Sequence, residues 1–191
     1  MKMQELMIAA PIQTVELSTG KLAGEHVLQS EKKLKELRGI FADEESRLLM
    51  DPETIVYKVQ MHAPVAKDTE GGLFFGTTYL APGKVGNEYF LTQGHFHKIG
   101  NRGEYYWGIK GKGILLLMDK SRNCRAEEMY PGSLHYIPAD TAHRVCNCGD
   151  ELLSFGACWP ADAGYDYEEI KNNGFSVRLV EIDNEPVLIP A

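Results

Sequence analysis

From Ile55 onward the chain repeats one rhythm, in which short runs rich in apolar and β-branched residues alternate with breaks of Gly, Pro, Asn or Asp. The runs Ile55 to Met61, Leu73 to Ala81, Glu88 to Gln93, Tyr105 to Ile109, Ile114 to Met118, Leu134 to Ile137 and Leu152 to Cys158 fit strands, and their spacing predicts an all-β sandwich or barrel. Ahead of them the pattern changes. Residues 12–22 suggest a short hairpin around Ser18, Thr19 and Gly20. Leu28 to Leu37 carries helix formers with Leu34 and Leu37 on one side, which predicts a helix. A second short helix is expected after Asp43, which can cap it while Glu44 and Glu45 complement its positive end. Tyr165 to Lys171 suggests one or two helical turns, and Phe175 to Ile182 with Glu185 to Ile189 a final hairpin. With no repeat or low-complexity linker, 191 residues are read as one domain. Within it, residues 1–54 form a strand and helix extension packed on the barrel, 55–160 the barrel core, and 161–191 the terminal helix turn and hairpin.

Charge narrows the partners. With 20 basic and 27 acidic residues the net charge is −7, which disfavours a nucleic-acid footprint or an anionic membrane surface. An anionic ligand must then be held by local donors rather than by bulk charge. No apolar run approaches the roughly 20 residues needed to span a bilayer, and M-K-M-Q-E-L-M-I-A-A-P lacks a signal-peptide core, so a cytoplasmic protein is expected. Cys124, Cys146, Cys148 and Cys158 fit that reducing compartment and read as buried core thiols. A thiolate metal site built on Cys146 and Cys148 lacks the C-x2-C spacing of zinc sites. His26 and His62 sit in polar, loop-like text and read as solvated.

Chemistry concentrates between Gly94 and Glu104, where the chain reads G-H-F-H-K-I-G-N-R-G-E. On an extended segment His95 and His97 share a face while Phe96 enters the other layer. Gly100, Asn101 and Gly103 are turn formers, so a hairpin can fold Glu104 back beside His97. Two imidazoles and a carboxylate suit a divalent first-row metal, and the absence of a thiolate points to an open catalytic ion. A further histidine, His143, follows in P-A-D-T-A-H-R-V-C-N, with His135 in S-L-H-Y-I-P as its replacement.

The two stretches together resemble the two-part signature of the cupins, with Asp140 standing where the general motif has glycine and a longer gap from His97 to Glu104. Within the cupins the chain resembles the archaeal-type glucose-6-phosphate isomerases. The resemblance lies in T-T-Y-L-A-P-G-K-V-G at 77–86, T-Q-G-H-F-H at 92–97, G-K-G at 111–113, Pro138 to His143, and W-P-A-D-A-G-Y-D-Y at 159–167. It implies a cupin double-stranded β-helix, a jelly-roll barrel with a few peripheral N-terminal helices. It also implies one divalent ion per subunit, Fe(II) ahead of Mn, Ni or Zn, held by His95, His97, Glu104 and His143.

The same resemblance implies a metal-dependent interconversion of glucose 6-phosphate and fructose 6-phosphate in glycolysis and gluconeogenesis, through a metal-stabilised enediolate or a hydride shift. Glu104, Tyr106 or a metal-bound hydroxide would move the proton. Thr78, Thr92 and Gly94, with Tyr57 nearby, would take the phosphate. At the sugar end Trp159, Tyr165 and Tyr167 are candidates, and Asp140, Trp159 and Tyr165 depart from better-known relatives where selectivity, including toward mannose 6-phosphate, is set. A homodimer is implied, with the long apolar N-terminal strand available to it. The alternatives are a cupin Fe(II) dioxygenase using the same ligands and a non-catalytic sugar-phosphate-binding cupin.

Overall fold

A computed structural model describes residues 8–191; the first seven residues of the segment read for a signal peptide lie outside it. The strands in chain order are β1 (Gln13–Val15), β2 (Leu22–Gly24), β3 (Val27–Lys33), β4 (Ile55–His62) and β5 (Leu73–Leu80). Next come β6 (Lys84–Val85), β7 (Glu88–Tyr89), β8 (Glu104–Lys110), β9 (Gly113–Asp119) and β10 (Cys124–Met129). The last are β11 (Leu134–Ile137), β12 (Thr141–Asn147), β13 (Leu153–Pro160), β14 (Val177–Ile182) and β15 (Glu185–Pro190). Two short helices, α1 (Glu44–Leu49) and α2 (Glu168–Asn173), sit outside the sheets.

A six-stranded sheet in the order β11-β8-β13-β5-β4-β3 faces a three-stranded sheet in the order β10-β9-β12. Every pairing is antiparallel. Alternate residues therefore enter one core, where Leu115 and Leu117 of β9 and Val145 of β12 meet Leu80 of β5 with Leu153 and Phe155 of β13. The all-β class expected from the strand rhythm is the observed one.

The N-terminal region holds the main corrections. Residues 27–33 are strand, not helix: β3 pairs with β4 along the edge of the large sheet, from Val27 with His62 to Lys33 with Ile55. Leu28 to Lys33 has no helical apolar stripe, and an edge strand tolerates exposed polar positions. Leu34 and Leu37, three apart, are both buried, and they form a 3-10 turn instead. Among the described residues, the expected long apolar N-terminal strand is only the three residues of β1, paired with β2. The helix after Asp43 forms as α1, and Asp43 accepts from the Ser46 N–H at 2.8 Å.

Three smaller differences matter near the site. The run from Glu88 to Gln93 stays in a ladder only over Glu88–Tyr89, after which single bridges continue at Leu91, His95 and Phe96. Of the four thiols, all free, only Cys146 is fully buried. His62 closes β4 half-buried, whereas His26 is exposed.

Candidate active site

His95 enters the site through an antiparallel bridge to His143 of β12, and Phe96 through one to Asp166. Phe96 turns into the core, so His95 and His97 project together from the opposite side. The Arg102 N–H donates to the Ile99 carbonyl at 3.2 Å and closes the turn that returns the chain to β8. Glu104 opens that strand, and Tyr106, two residues on, shares its inward face. His143 Nε2 then lies 2.6 Å and His97 Nε2 3.3 Å from Glu104 Oε1. One ligand atom from each of His95, His97, Glu104 and His143 falls within 4.8 Å of all the others.

These approaches are not hydrogen bonds. His95 Nε2, His97 Nε2, His143 Nε2 and Glu104 Oε1 are all buried without a hydrogen-bond partner, a costly arrangement for four polar atoms unless something binds them together. The donor set suits a divalent ion in an open site. The far ring nitrogens fit the same reading: His97 Nδ1 lies 2.7 Å from the Arg102 carbonyl and His143 Nδ1 3.3 Å from that of Thr141. A carbonyl accepts only from N–H, so both rings turn the Nε2 lone pair to the centre.

Electrostatics keeps Glu104 and His95 in ligating form. Burial opposes ionisation of Glu104, but His143 and His97 outweigh it and hold the carboxyl down at about 2. Burial, joined by His143, pushes His95 well below its usual range. Burial would also lower His97, yet the Glu104 carboxylate and the Arg102 carbonyl raise it. Tyr106 is pushed well above the ordinary phenol value by burial and by the Glu104 charge. Tyr165 is pushed up to about 12, mainly by burial and then by Tyr167 and Glu104.

Three of the four donors, His95, Glu104 and His143, border a cavity of about 620 Å³, and His97 stands behind them. Tyr57, Thr78, Thr92 and Gly94 line it, as do Trp159, Tyr165 and Tyr167. On β3 and β4, Lys32 pairs with Tyr57 and Leu28 with Met61, so alternate residues of the two strands form one wall. Tyr165 stands edge-on to His95 with ring centres 4.8 Å apart and stacks on Tyr167 at 5.7 Å. The Tyr106 ring is perpendicular to that of His143, with centres 5.6 Å apart.

Asp140 and His135 fall elsewhere. Asp140 adopts a left-handed φ of 56°, its N–H donates to the Gly100 carbonyl at 2.6 Å and its carboxylate pairs with Lys120 at 2.6 Å. It is a half-exposed turn residue and not part of the cavity wall, which explains why the general motif has glycine there. His135 is tied to Glu127 at 2.7 Å and Ser133 at 2.9 Å, away from the quartet.

Three charged neighbours of the site had no flag in the sequence. Arg102 ion-pairs with buried Asp162 at 2.7 Å, and Arg144 lies buried behind Gly94, where burial brings its pKa down to about 10. Arg144 follows His143 directly, so its opposite orientation on β12 was the available signal.

Residues 31–188 match the family model described as glucose-6-phosphate isomerase. The chain is 44% identical over 172 residues to the glucose-6-phosphate isomerase of Thermococcus kodakarensis, covering 90% of this chain and 89% of that protein. It is 40% identical to that of Pyrococcus furiosus over 173 residues, with 90% and 89% covered. Among solved structures, oxalate decarboxylase from Bacillus subtilis aligns at 24% identity and a TM-score of 0.44, over 57% of this chain and 26% of that one. The match spans the positions of the quartet and of the cavity wall from Lys32 to Tyr167, and the chain belongs to the glucose-6-phosphate isomerase family.

Proposed function

We propose that the protein is a metal-dependent aldose–ketose isomerase acting on glucose 6-phosphate and fructose 6-phosphate in glycolysis and gluconeogenesis. The observation that carries this reading is the quartet of buried donor atoms, none with a hydrogen-bond partner, three of whose residues (His95, Glu104 and His143) stand on the wall of a cavity large enough for a sugar phosphate. A divalent ion held by His95, His97, Glu104 and His143, Fe(II) ahead of Mn, Ni or Zn, would supply Lewis-acid stabilisation of the charge that develops on the C1 and C2 oxygens.

The remaining work belongs to the chain. Glu104, kept ionised, is the carboxylate able to carry a proton between C1 and C2, and its low proton affinity makes abstraction the demanding half and return the easy one. Tyr106, kept as the phenol, serves as a donor rather than a base. Thr78 and Thr92 offer hydroxyls and Gly94 a backbone N–H to the phosphate, with Tyr57 beside them. Trp159, Tyr165 and Tyr167 wall in the carbon chain and keep water from the reacting atoms.

The reading extends to a cytoplasmic homodimer. Its supports are the free thiols and the exposed aromatic outer face of the large sheet, where Tyr105 and Tyr136 lie opposite one another with ring centres 5.2 Å apart. Among the described residues no helix is long and apolar enough to cross a membrane.

Turnover of fructose 6-phosphate, followed through a coupled dehydrogenase with and without oxygen, tests the activity. Equal turnover in both is expected; oxygen-dependent consumption would support a dioxygenase instead, and tight binding without turnover a binding protein.

A further inference from the structure

The segment Leu91–His95 runs antiparallel to β12 with one residue too many. Leu91 pairs with Cys146 and His95 with His143, so Thr92, Gln93 and Gly94 stand against Arg144 and Val145 alone. That is a β-bulge. The Thr92 N–H donates to the Val145 carbonyl at 2.9 Å and the His143 N–H to the His95 carbonyl at 3.2 Å, which leaves the Gly94 N–H between them and outside the ladder. Gly94 adopts a φ of +76° at this point.

Behind the bulge lies Arg144. Its Nη2 donates to the Gln93 carbonyl at 2.6 Å, and its guanidinium sits 4.6 Å from the centre of the Phe175 ring. A Cβ at position 94 would come within 3.2 Å of Arg144 Nε and 2.9 Å of Phe175. Position 94 is therefore glycine because the main chain rests directly on this cation as well as because of its backbone angle.

Arg144 is only 3% exposed, yet among the described residues no carboxylate lies within 4.0 Å of it. Glu88 is bound to Arg178 at 2.9 Å instead. Nε is buried and has no acceptor. A buried charge without a counterion is expensive, and it keeps its full field in the low-dielectric interior. The other face of the same bulge is the cavity, lined there by Thr92 and Gly94. The Thr92 hydroxyl already accepts from the Val145 N–H at 3.1 Å, so its own proton is left to donate. Lys32, the other cation at the cavity, pairs with Glu36 at 3.6 Å on the rim, where solvent weakens it.

We propose that Arg144 is the missing half of an ion pair completed by substrate. From behind, it holds the Gln93–Gly94 bulge, and its charge selects a phosphate dianion on the cavity side. It is a positioning residue that does not touch the sugar. The inference rests on the reading of a phosphorylated substrate given above.

Calorimetry with inorganic phosphate on the metal-loaded protein tests it, together with the kinetics of fructose 6-phosphate. Arg144→Gln keeps a donor for the Gln93 carbonyl but removes the charge; it is expected to weaken phosphate and raise KM by about tenfold or more, with kcat changed less than about threefold. Arg144→Lys should recover most of both. A folded Arg144→Gln variant with unchanged phosphate affinity and KM would overturn the proposal. Should that variant fail to fold, Arg144→Lys decides alone: affinity within about threefold supports the charge, and a tenfold loss in a folded protein overturns it. Wild-type protein that binds phosphate in this Arg144-dependent way without isomerising sugar would remove the isomerase reading and leave the role of Arg144 standing.

Discussion

Arg102 grips Asp162 by its guanidinium, with Nη2 2.7 Å from Oδ2, while its carbonyl lies 2.7 Å from His97 Nδ1. One residue thus ties the turn before β8 to the segment after β13 and fixes the tautomer of a proposed metal ligand. The fork binds at two points, because Nε also donates to Asp162 at 3.1 Å. Asp162→Asn is expected to loosen this turn and weaken metal binding by about tenfold, as is usual when support behind a ligating histidine is lost. Chelator competition with the refolded variant measures it. An unchanged affinity would show that Arg102 holds His97 without help.

Tyr106 tests the division of labour between donor and base. With its hydroxyl kept protonated by burial and by Glu104, Tyr106→Phe should leave the ion bound and lower kcat by about 10- to 100-fold, the range for a lost general acid or polarising donor. Steady-state kinetics with a metal count on the same sample measures both. Loss of the ion would make Tyr106 a structural support instead.

Proton carriage by Glu104 predicts isotope exchange. Fructose 6-phosphate converted in heavy water should yield glucose 6-phosphate with deuterium at C2, read by mass spectrometry or proton NMR. Complete absence of deuterium would point to a direct hydride shift and leave Glu104 as a ligand only.

Much of this site was legible because its chemistry is local. His95, Phe96 and His97 alternate within one extended stretch, and Gly100 to Gly103 supply the turn that brings Glu104 back, so spacing alone assembled three donors. The position of His143 is a long-range pairing that spacing cannot supply: the sequence offered it as a candidate beside His135, and the family resemblance favoured it. Residues 28–33 were misread because an edge strand exposed from Leu28 to Glu31 has neither a strand's apolar alternation nor a helix's stripe. Asp140 read as a departure bearing on selectivity because a turn residue in the left-handed region carries the same signature as a substituted site residue. Arg144 and Asp162 were invisible for the opposite reason: charged residues read as surface until burial is known.

The Asp140 correction has its own test. Asp140→Gly keeps the left-handed turn and removes only a solvent-exposed pair with Lys120, worth about 0–1 kcal/mol. KM for fructose 6-phosphate and the preference over mannose 6-phosphate should stay within about twofold. A changed preference would return Asp140 to the substrate site.

The metal-free protein should be most stable near the ordinary histidine pKa, because two histidines of the quartet, His95 and His97, pull in opposite directions. His95 is held below 6.5, so under acid conditions the unfolded chain takes a proton that the fold refuses, and stability falls as pH drops beneath that value. His97 is held above 6.5, so its contribution is full below that value and is lost as pH rises through its folded pKa. Each limb has a limiting slope of about 1.4 kcal/mol per pH unit. Glu104, held at about 2, adds stability that is lost only as pH falls from the ordinary carboxylate range toward 2. Urea unfolding of stripped protein between pH 5 and 8 (roughly the histidine window) traces the curve, and His95→Phe should flatten its acid side. A monotonic curve would contradict the opposed pair.

The most direct test of the account is to strip the protein with a chelator and titrate Fe(II), Mn, Ni or Zn back while following fructose 6-phosphate turnover and bound metal together. Activity should vanish on stripping and return in proportion to one ion per chain, and His95→Ala should recover neither the ion nor the rate. Full turnover by the stripped protein, or a folded protein that binds one ion and isomerises nothing with any of these metals, would contradict it.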